Sequence, residues 1–220
     1  MPPDPRLYFL ARRLKEMRET YFSDTRIRML DIGCADGSFI GVVRKELSGV
    51  ERIDGCDVPS RWSQGHQTDR SDMFYLQDIQ KGLGTLPLNQ YHFITFWEVI
   101  EHLGNPYTFL CNVRQLLTPG GIVFLTSPNL LGLSRFIKCK KWVGITELDH
   151  KYLFDRLSIK FLLERAGYSG IRAKSYLFPS MGPRFDGFNQ WFSSTSLGGM
   201  LYVTAFKDMG FDLQADQHKK

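Results

Sequence analysis

Hydrophobic residues recur along the chain at two spacings, and each spacing predicts a type of element. Near the start, apolar residues at every third or fourth position predict an amphipathic helix over residues 5–21, a lid or a scaffold ahead of a sheet. The apolar run Ile27–Ile32 predicts a strand, which a glycine-containing turn joins to a second helix. Similar short runs predict four further strands, Arg52–Asp57, Met73–Gln77, Tyr91–Trp97 and Gly121–Ser127.

Helical patterns separate several of these strands, notably Pro106–Leu117 and Ser158–Ala166. Such alternation predicts an α/β fold with a Rossmann-like, doubly wound and mostly parallel sheet that carries helices on both faces. Beyond Ala173 the pattern changes, because Ala173–Leu177 and Leu201–Lys207 predict two strands joined by a connection without a helix. We therefore expect one antiparallel strand to close the sheet.

Composition narrows the class of protein. The chain has 220 residues, of which 43% are hydrophobic, and this is enough apolar material for a real core. A formal net charge of +5 favours an anionic partner. The four cysteines form no CxxC pair, and no apolar run resembles a secretory signal or is long enough to cross a bilayer. We expect a cytoplasmic protein, at most peripheral to a membrane; the oligomeric state stays open.

Small residues and acids follow the first three predicted strands. The turn after Ile27–Ile32 contains Gly33 and Gly37, which allow the backbone to approach a ligand closely. Asp57 ends the second strand about 20 residues further on, where a carboxylate can accept both ribose hydroxyls of a nucleoside. Asp78 follows the third strand and can accept from an adenine amino group while Ile79 packs on the ring. Taken alone, either acid is more typical of a solvated turn or a helix cap.

Between about Arg26 and Tyr168 the chain resembles the class I S-adenosylmethionine-dependent methyltransferases. The motifs that carry the resemblance are, in the family's order, Asp31-x-Gly33-x-x-x-Gly37, Asp57, Asp78, Trp97-Glu98-Val99-Ile100-Glu101-His102-Leu103 and Leu117-Thr118-Pro119-Gly120-Gly121. The first loop is not the Gly-x-Gly-x-x-Gly of nicotinamide enzymes, and a carboxylate at Asp31 would repel a pyrophosphate. Two departures from the family pattern are Ala35, where many members have Gly, and Tyr91-His92, where Phe-Asp is common.

The resemblance implies S-adenosyl-L-methionine as cofactor and S-adenosyl-L-homocysteine as product. Asp31 would orient the loop and reach the methionine end of the cofactor. The implied cofactor-binding residues are Asp31, Gly33, Cys34, Ala35, Gly37, Asp57, Val58, Asp78, Ile79, Trp97 and Glu98. The resemblance also implies three regions: an N-terminal helix over 1–25, the methyltransferase domain over 26–210 with inserted substrate segments near 130–150 and 178–197, and a flexible tail over 211–220.

The motif after the fourth strand, with Ser127-Pro128-Asn129, is similar to a broad group that includes ubiquinone-biosynthesis, glycan and small-metabolite methyltransferases, which implies an oxygen acceptor. The Asn-Pro-Pro-Tyr motif of amino-methylating enzymes is missing there. Methyl transfer from a sulfonium is a direct displacement, so the protein mainly aligns the reactants. His102 and His150 are the candidate general bases, because imidazole takes a proton near neutral pH; structural roles for both stay open.

Glu98, Glu101 and His102 follow an i, i+3, i+4 spacing that would put them on one face of a helical turn. With the distant His150 they also look like the metal set of small-RNA 3'-terminal 2'-O-methyltransferases. The same residue types occur in metal-free members of the family. We favour the metal-free interpretation and assign no metal ligands.

The two inserted segments are the candidate acceptor sites. Residues 130–149 are rich in Arg and Lys and suggest an amphipathic basic helix over the pocket, able to bind an anionic acceptor or a lipid headgroup; an ordinary solvated face is the alternative. Residues 178–197 carry clustered aromatics that would cover an acceptor, form a dimer contact or make a small core. We expect O-methylation of a small-molecule, glycan or lipid-linked hydroxyl. RNA is a weaker rival because the basic residues form no long patch, and an inactive partner protein is the remaining alternative.

Overall fold

In a computed structural model, residues 4–59, 72–176 and 195–208 are described, apart from the side chain of Val143. They form seven strands, β1 Ile27–Ile32, β2 Val50–Asp57, β3 Phe74–Leu76, β4 Tyr91–Trp97, β5 Leu117–Pro128, β6 Tyr168–Tyr176 and β7 Met200–Lys207. The α-helices in these ranges are α1 Pro5–Tyr21, α2 Ser38–Glu46, α3 Pro106–Leu116, α4 Leu133–Lys138, α5 Val143–Thr146 and α6 Arg156–Arg165. Single 3-10 turns cover Ile79–Lys81, Ile100–His102 and Cys139–Lys141.

The strands make one sheet in the order β3-β2-β1-β4-β5-β7-β6. Strands β1 to β5 pair in parallel, whereas β7 is antiparallel to both of its neighbours. The predicted doubly wound sheet with one antiparallel strand is confirmed. The chain order reverses between β1 and β4, and the crevice beyond the carboxyl ends of these two strands is where open α/β sheets bind ligands.

Helices cover both faces of the sheet, and each face has its own core. On one face α1 and α2 bury Leu14 and Val43 with the side chains of the central strands. On the other face α3 and α6 bury Phe109 and Leu163. Because every central strand is covered on both sides, β1, β4 and β5 are almost wholly buried, and their ends are rigid supports for a site.

The first helix starts at a well-formed cap. The Asp4 side chain accepts from the backbone N–H of Arg6 at 2.8 Å, and Pro5 occupies the first turn. Phe9, Leu10 and Leu14 are buried against α2 and the sheet. The helix is therefore a packed scaffold along its length, and only its start reaches the carboxyl end of β4.

Two strands start well before their expected positions. Strand β5 starts at Leu117, ahead of the Pro119-Gly120-Gly121 turn, because its first residue pairs with Tyr91 across a register shift. Strand β6 starts at Tyr168 rather than Ala173. The antiparallel strand β7 lies between β5 and β6, so β6 forms the edge of the sheet.

The expected basic helix over residues 130–149 is wrong. That segment consists of α4, a 3-10 turn and α5, and Cys139 between them has a positive φ of 46°. No residue of α4 is buried, so packing against the fold does not extend this helix, while Trp142 is 1% exposed and fixes the segment to the fold. Among the described helices, none is both long and apolar enough to cross a bilayer.

Candidate active site

The loop after β1 is held in a left-handed conformation at three positions. Gly33, Ala35 and Gly37 have φ values of 75°, 45° and 70°. A Cβ atom on Gly33 would lie 2.6 Å from the Val99 side chain, so the loop packs directly against the segment after β4. A positive φ is costly for alanine, which explains why many family members have glycine at the position of Ala35.

The acid at the end of β2 is tied to this loop. Asp57 is 6% exposed, and its carboxylate accepts from the backbone N–H groups of Ala35 and Val58, each at 2.7 Å. Each carboxylate oxygen has a second lone pair, so these contacts leave acceptor capacity for two ribose hydroxyls. The residues predicted to form the loop and ribose sites are thus brought together.

Asp31 lies beneath the loop, 1% exposed, and accepts from the Thr95 hydroxyl at 2.6 Å. Burial, together with the nearby negative charge of Asp57, raises the pKa of its carboxyl to about 7, against the lowering effect of the Thr95 hydrogen bond. A cationic group bound close by would favour the ionised form. Cys34 is buried in the same loop, and burial raises the pKa of its thiol well above the usual range, so it has a packing role rather than a reactive one.

On the adenine side, Asp78 caps the 3-10 turn Ile79–Lys81 by accepting from the Gln80 N–H at 3.0 Å. Its side chain is 26% exposed and faces solvent in part. Ile79 is only 4% exposed and belongs to the core that contains α3. Its packing on an adenine ring stays a prediction.

At the carboxyl end of β4, Trp97 and Glu98 line a small pocket below the start of α1. Glu98 has a φ of 52°, and its N–H contacts the carbonyl and hydroxyl oxygens of Thr126, both at 3.2 Å. Arg6 reaches the same pocket and lies 3.7 Å from the Glu98 carboxylate. No sequence pattern pointed to Arg6, because an arginine in a first helical turn is common and the contact with Glu98 spans more than 90 positions.

The two candidate bases form a pair. The rings of His102 and His150 have centroids 4.6 Å apart. The two histidines meet because the N–H groups of Lys151 and Tyr152 donate to the Glu101 carbonyl oxygen at 2.8 and 3.1 Å. His102 Nδ1 lies 3.1 Å from an Asp149 carboxylate oxygen, and His150 Nε2 lies 3.9 Å from Glu147.

Glu101 lies close to these two histidines and is 1% exposed. Neither of its carboxyl oxygens has a hydrogen-bond partner of normal geometry among the described residues, although the Ser127 hydroxyl is close enough to lower its pKa somewhat. Burial dominates and raises the pKa of Glu101 to about 8. The group can hold a proton, or its oxygens can ligate a cation.

The arrangement departs from the helical face expected for Glu98, Glu101 and His102. Only Ile100–His102 is helical, and the positive φ of Glu98 turns that residue away before the turn begins. In the described ranges, donor atoms within 4.8 Å of one another come from Glu101, His102 and His150, and from an overlapping group of His102, Glu147 and Asp149. Of the aromatic segment 178–197, all but residues 195–197 lie outside the described residues.

Comparison with known proteins identifies the family. A family model described as a methyltransferase domain matches residues 5–173. The ubiquinone biosynthesis O-methyltransferases of Salmonella enteritidis PT4 (strain P125109) and Salmonella gallinarum (strain 287/91 / NCTC 13346) are each 27% identical over 108 residues. That stretch is 49% of this chain and 45% of each relative, so the match spans less than half of their length.

Solved structures agree on the fold. A SAM-dependent methyltransferase from Archaeoglobus fulgidus aligns over 90% of this chain and 93% of its own, with a TM-score of 0.61 and 20% identity. The phosphoethanolamine N-methyltransferase 2 of Haemonchus contortus, solved with S-adenosyl-L-methionine, aligns over 90% of this chain and 52% of its own, with a TM-score of 0.65 and 17% identity.

The CurJ carbon methyltransferase aligns over 92% of this chain and 54% of its own, with a TM-score of 0.64 and 18% identity. These names span carbon and nitrogen acceptors, so the fold alone does not select the acceptor atom. What these structures share with this chain is the fold. The chain therefore belongs to the methyltransferase-domain family, of the class I S-adenosylmethionine-dependent type.

Proposed function

We propose that the enzyme methylates a hydroxyl oxygen of a small-molecule, glycan or lipid-linked acceptor, and that His102 assists by taking the hydroxyl proton. The observation that carries the proposal is the pair of imidazoles at the end of β4, one of them beside a carboxylate. Bound S-adenosylmethionine supplies a methyl group already activated by its sulfonium. The protein's own task is then to align the acceptor and to accept one proton.

His102 has the better geometry for a base. Its Nδ1 lies 3.1 Å from the Asp149 carboxylate, which favours the tautomer with the proton on Nδ1. Nε2 then carries the lone pair and is available for the acceptor's proton. His150 has a more buried side chain, 4% exposed against 18% for His102, and it suits the role of packing and orienting its neighbour.

Oxygen as the acceptor atom is supported by the O-methyltransferases among the relatives and by the missing Asn-Pro-Pro-Tyr motif. An anionic or lipid-linked acceptor is supported by the segment around α4. Lys138, Lys140 and Lys141 are exposed there, next to Phe136 and Ile137, which are 58% and 73% exposed. Positive charge beside apolar side chains suits an acceptor with an anionic headgroup.

Methyl transfer to fractionated extract tests this proposal. The purified enzyme and methyl-labelled S-adenosylmethionine are incubated with lipid, glycan, small-molecule and RNA pools, and Asp57→Ala serves as the inactive control. We expect label in one of the first three pools, in a bond with the base stability of an ether. Label in RNA alone, or in an amine, would contradict the proposal.

A second candidate function has an observation of its own. Glu101 has two buried carboxyl oxygens without a regular partner. Nδ1 of both His102 and His150 is also buried and makes no hydrogen bond of regular geometry among the described residues, although His102 Nδ1 lies 3.1 Å from Asp149. Such a set of oxygen and nitrogen donors suits a divalent cation. A cation held there would orient vicinal hydroxyls and lower their pKa, as a metal-dependent methylation of an RNA 2'-hydroxyl requires.

The two candidates make opposite predictions about chelation and about the labelled pool. The first expects activity in the presence of chelator and label outside RNA. The second expects strict dependence on a divalent ion, label in RNA and loss of ion binding in His150→Ala. We prefer the first, because Glu98 is outside the donor group in the described ranges.

A further inference from the structure

A cavity lies between the second half of α1 and the antiparallel end of the sheet. It has a volume of about 230 Å³, and its walls come from α1, β5, β6 and β7. The described residues that line it include neither candidate base and none of the implied cofactor-binding residues. The cavity is therefore a different place from the active site, although Tyr202 lines both it and the pocket below the start of α1.

The size of the cavity limits what it can hold. A water molecule occupies about 30 Å³ in the liquid, so the cavity has room for the equivalent of about seven waters. Pockets for drug-sized ligands are larger, at roughly 300 to 1,000 Å³. A single ring with a short substituent is of the right size.

Three buried aromatic rings form the floor of the cavity. Phe124, Tyr176 and Tyr202 line it and are 2%, 7% and 6% exposed. Tyr176 and Tyr202 pack edge to face with centroids 4.7 Å apart, and Phe9 packs in the same way on both, at 5.1 and 5.3 Å. The floor is therefore fixed, and it suits an apolar or aromatic body.

The β6 side of the cavity carries two cations without counterions. Arg172 and Lys174 are exposed lining residues two positions apart on β6, so they project from the same face of the sheet. Neither side chain makes a hydrogen bond or an ion pair with another described residue. Two like charges at a spacing of about 7 Å repel each other. An anion between them would remove this repulsion.

The third cation of the lining is already paired. Arg13 donates to the Glu16 carboxylate at 2.8 Å, and its guanidinium lies over the Phe9 ring, 5.2 Å from the centroid. Because Arg13 and Glu16 cancel, the described lining keeps the two positive charges of Arg172 and Lys174. A ligand with two negative charges is the electrostatic complement of this cavity.

We propose that this cavity is a second ligand site, which binds a small phosphate monoester with an apolar body. The phosphate group lies between Arg172 and Lys174, and the body lies on the floor of three rings. Thr204, which is opposite Arg172 on β7, brings a hydroxyl to the same side of the cavity. A phosphate monoester carries close to two negative charges above neutral pH, whereas a single carboxylate carries one. The proposal depends neither on the acceptor nor on the base proposed above.

Three probes separate the charge of the ligand from its shape. Phenyl phosphate has both the dianion and the ring, inorganic phosphate has the charge alone, and phenol has the ring alone. Calorimetry at low salt and about pH 8 measures each probe with S-adenosylhomocysteine present at saturation, so that the cofactor site is filled. We expect phenyl phosphate to bind with a Kd of about 1 mM or below, and each of the other two probes to bind at least tenfold more weakly.

Four variants place the bound probe in the cavity. Arg172→Gln and Lys174→Gln each remove one of the unpaired charges, and Lys45→Gln removes an exposed charge from α2 as the control. Thr20→Trp fills the cavity from the exposed face of α1 and leaves every charge in place. Melting curves without ligand establish that each variant is folded.

We expect each of Arg172→Gln and Lys174→Gln to weaken phenyl phosphate binding about threefold to tenfold, as for a partly exposed charge pair. Thr20→Trp should abolish binding, and Lys45→Gln should leave it within about twofold. Binding that persists in Thr20→Trp, or that Lys45→Gln weakens as much as Arg172→Gln does, would assign the probe to the general basic surface and overturn the proposal. Phenyl phosphate that binds no better than inorganic phosphate, or only when S-adenosylhomocysteine is absent, would overturn it as well.

Discussion

The Asp57 carboxylate accepts a hydrogen bond from the backbone N–H of Ala35 at 2.7 Å, and this contact joins the end of β2 to the loop after β1. This side chain holds the loop in its left-handed form, and we predict that it also offers acceptors to the ribose of the cofactor. Loss of the Asp57 carboxylate should consequently disturb both the conformation of the loop and the binding of the ribose.

We expect Asp57→Ala to weaken S-adenosylhomocysteine binding by at least tenfold and to abolish most of the ligand-induced rise in Tm. The buried ribose hydroxyls and the Ala35 N–H would each lose an acceptor, at about 1 to 3 kcal/mol apiece. Calorimetry and thermal melts measure the two effects, with the exposed Asp24→Asn as the control. Equal affinity for wild type and Asp57→Ala would mean that the ribose is bound elsewhere.

Replacing Ala35 by glycine should stabilise the protein. Its φ of 45° costs an L-residue about 1 to 2 kcal/mol, and the added freedom of glycine in the unfolded chain returns part of this. We expect a net gain of up to about 1 kcal/mol, seen in chemical denaturation. Ala173→Gly, in the extended strand β6, should lose stability instead. A less stable Ala35→Gly would show that the alanine methyl makes a compensating contact.

Cofactor affinity should depend on the protonation of Asp31. Its pKa of about 7 is above the ordinary value of 3.8, so its contribution to the stability of the unliganded fold is fully present below about pH 4 and lost as pH rises to about 7. Binding of a cationic ammonium needs the ionised form. Affinity for S-adenosylhomocysteine should therefore fall as pH drops below 7, by up to tenfold per pH unit.

The control for this pH dependence is 5'-methylthioadenosine, which lacks the ammonium group and should bind independently of pH. Asp31→Asn should bind S-adenosylhomocysteine more weakly and without the pH dependence. Calorimetry between pH 5.5 and 8.5 measures both. A wild-type affinity that is constant over this range would show that the ammonium group does not contact Asp31.

His102 should be needed for turnover and not for the cofactor. We expect His102→Gln to lower kcat on the true acceptor about a hundredfold or more, as for the loss of a general base, with unchanged affinity for S-adenosylhomocysteine. Tyr152→Phe removes a neighbouring hydroxyl that donates to the Gly104 carbonyl, and it should leave kcat within a few fold. Activity should persist after exhaustive chelation. If chelation stops turnover and Mn²⁺ restores it, the cation hypothesis replaces this one.

The lysines around α4 should serve the acceptor alone. Changing Lys138, Lys140 and Lys141 together to Ala should raise the acceptor KM and reduce its salt dependence, while cofactor binding is kept. Lys15, Lys45 and Lys160 changed together remove the same charge from other exposed positions and form the control. An unchanged KM and an unchanged salt dependence would assign the three lysines to the solvated surface.

Much of the fold was determined by local pattern. Apolar runs predicted β1 and β4 with their observed bounds and the other strands with shifted ends, because strand and helix differ in the period at which side chains reach the core. The cofactor side of the site was predictable for the same reason. Asp31 and Asp57 lie on or at the end of a parallel strand, and the carboxyl ends of such strands meet at one edge of the sheet.

Other features come from contacts between distant parts of the chain, which leave no local signal. The departure at Tyr91-His92 is structural: the Tyr91 hydroxyl donates to Asp54 at 2.7 Å, and His92 Nδ1 accepts from the Arg28 N–H at 3.1 Å. The position of β7 between β5 and β6 depends on pairing across a long connection.

The arrangement of the residues around the two histidines depends on backbone geometry that the residue types alone do not predict. The spacing of Glu98 and Glu101 suggested one helical face, yet a left-handed φ at Glu98 directs that residue toward Arg6 and leaves Glu101 with the histidines. His150 meets His102 because the backbone N–H groups of residues 151 and 152 donate to the Glu101 carbonyl oxygen. Any residue type except proline has such an N–H group, so the sequence carries no signal for this contact. The sequence thus determined which residues end the strands, and only the tertiary structure decided which of them meet, because those meetings depend on main-chain turns and on partners far away in the chain.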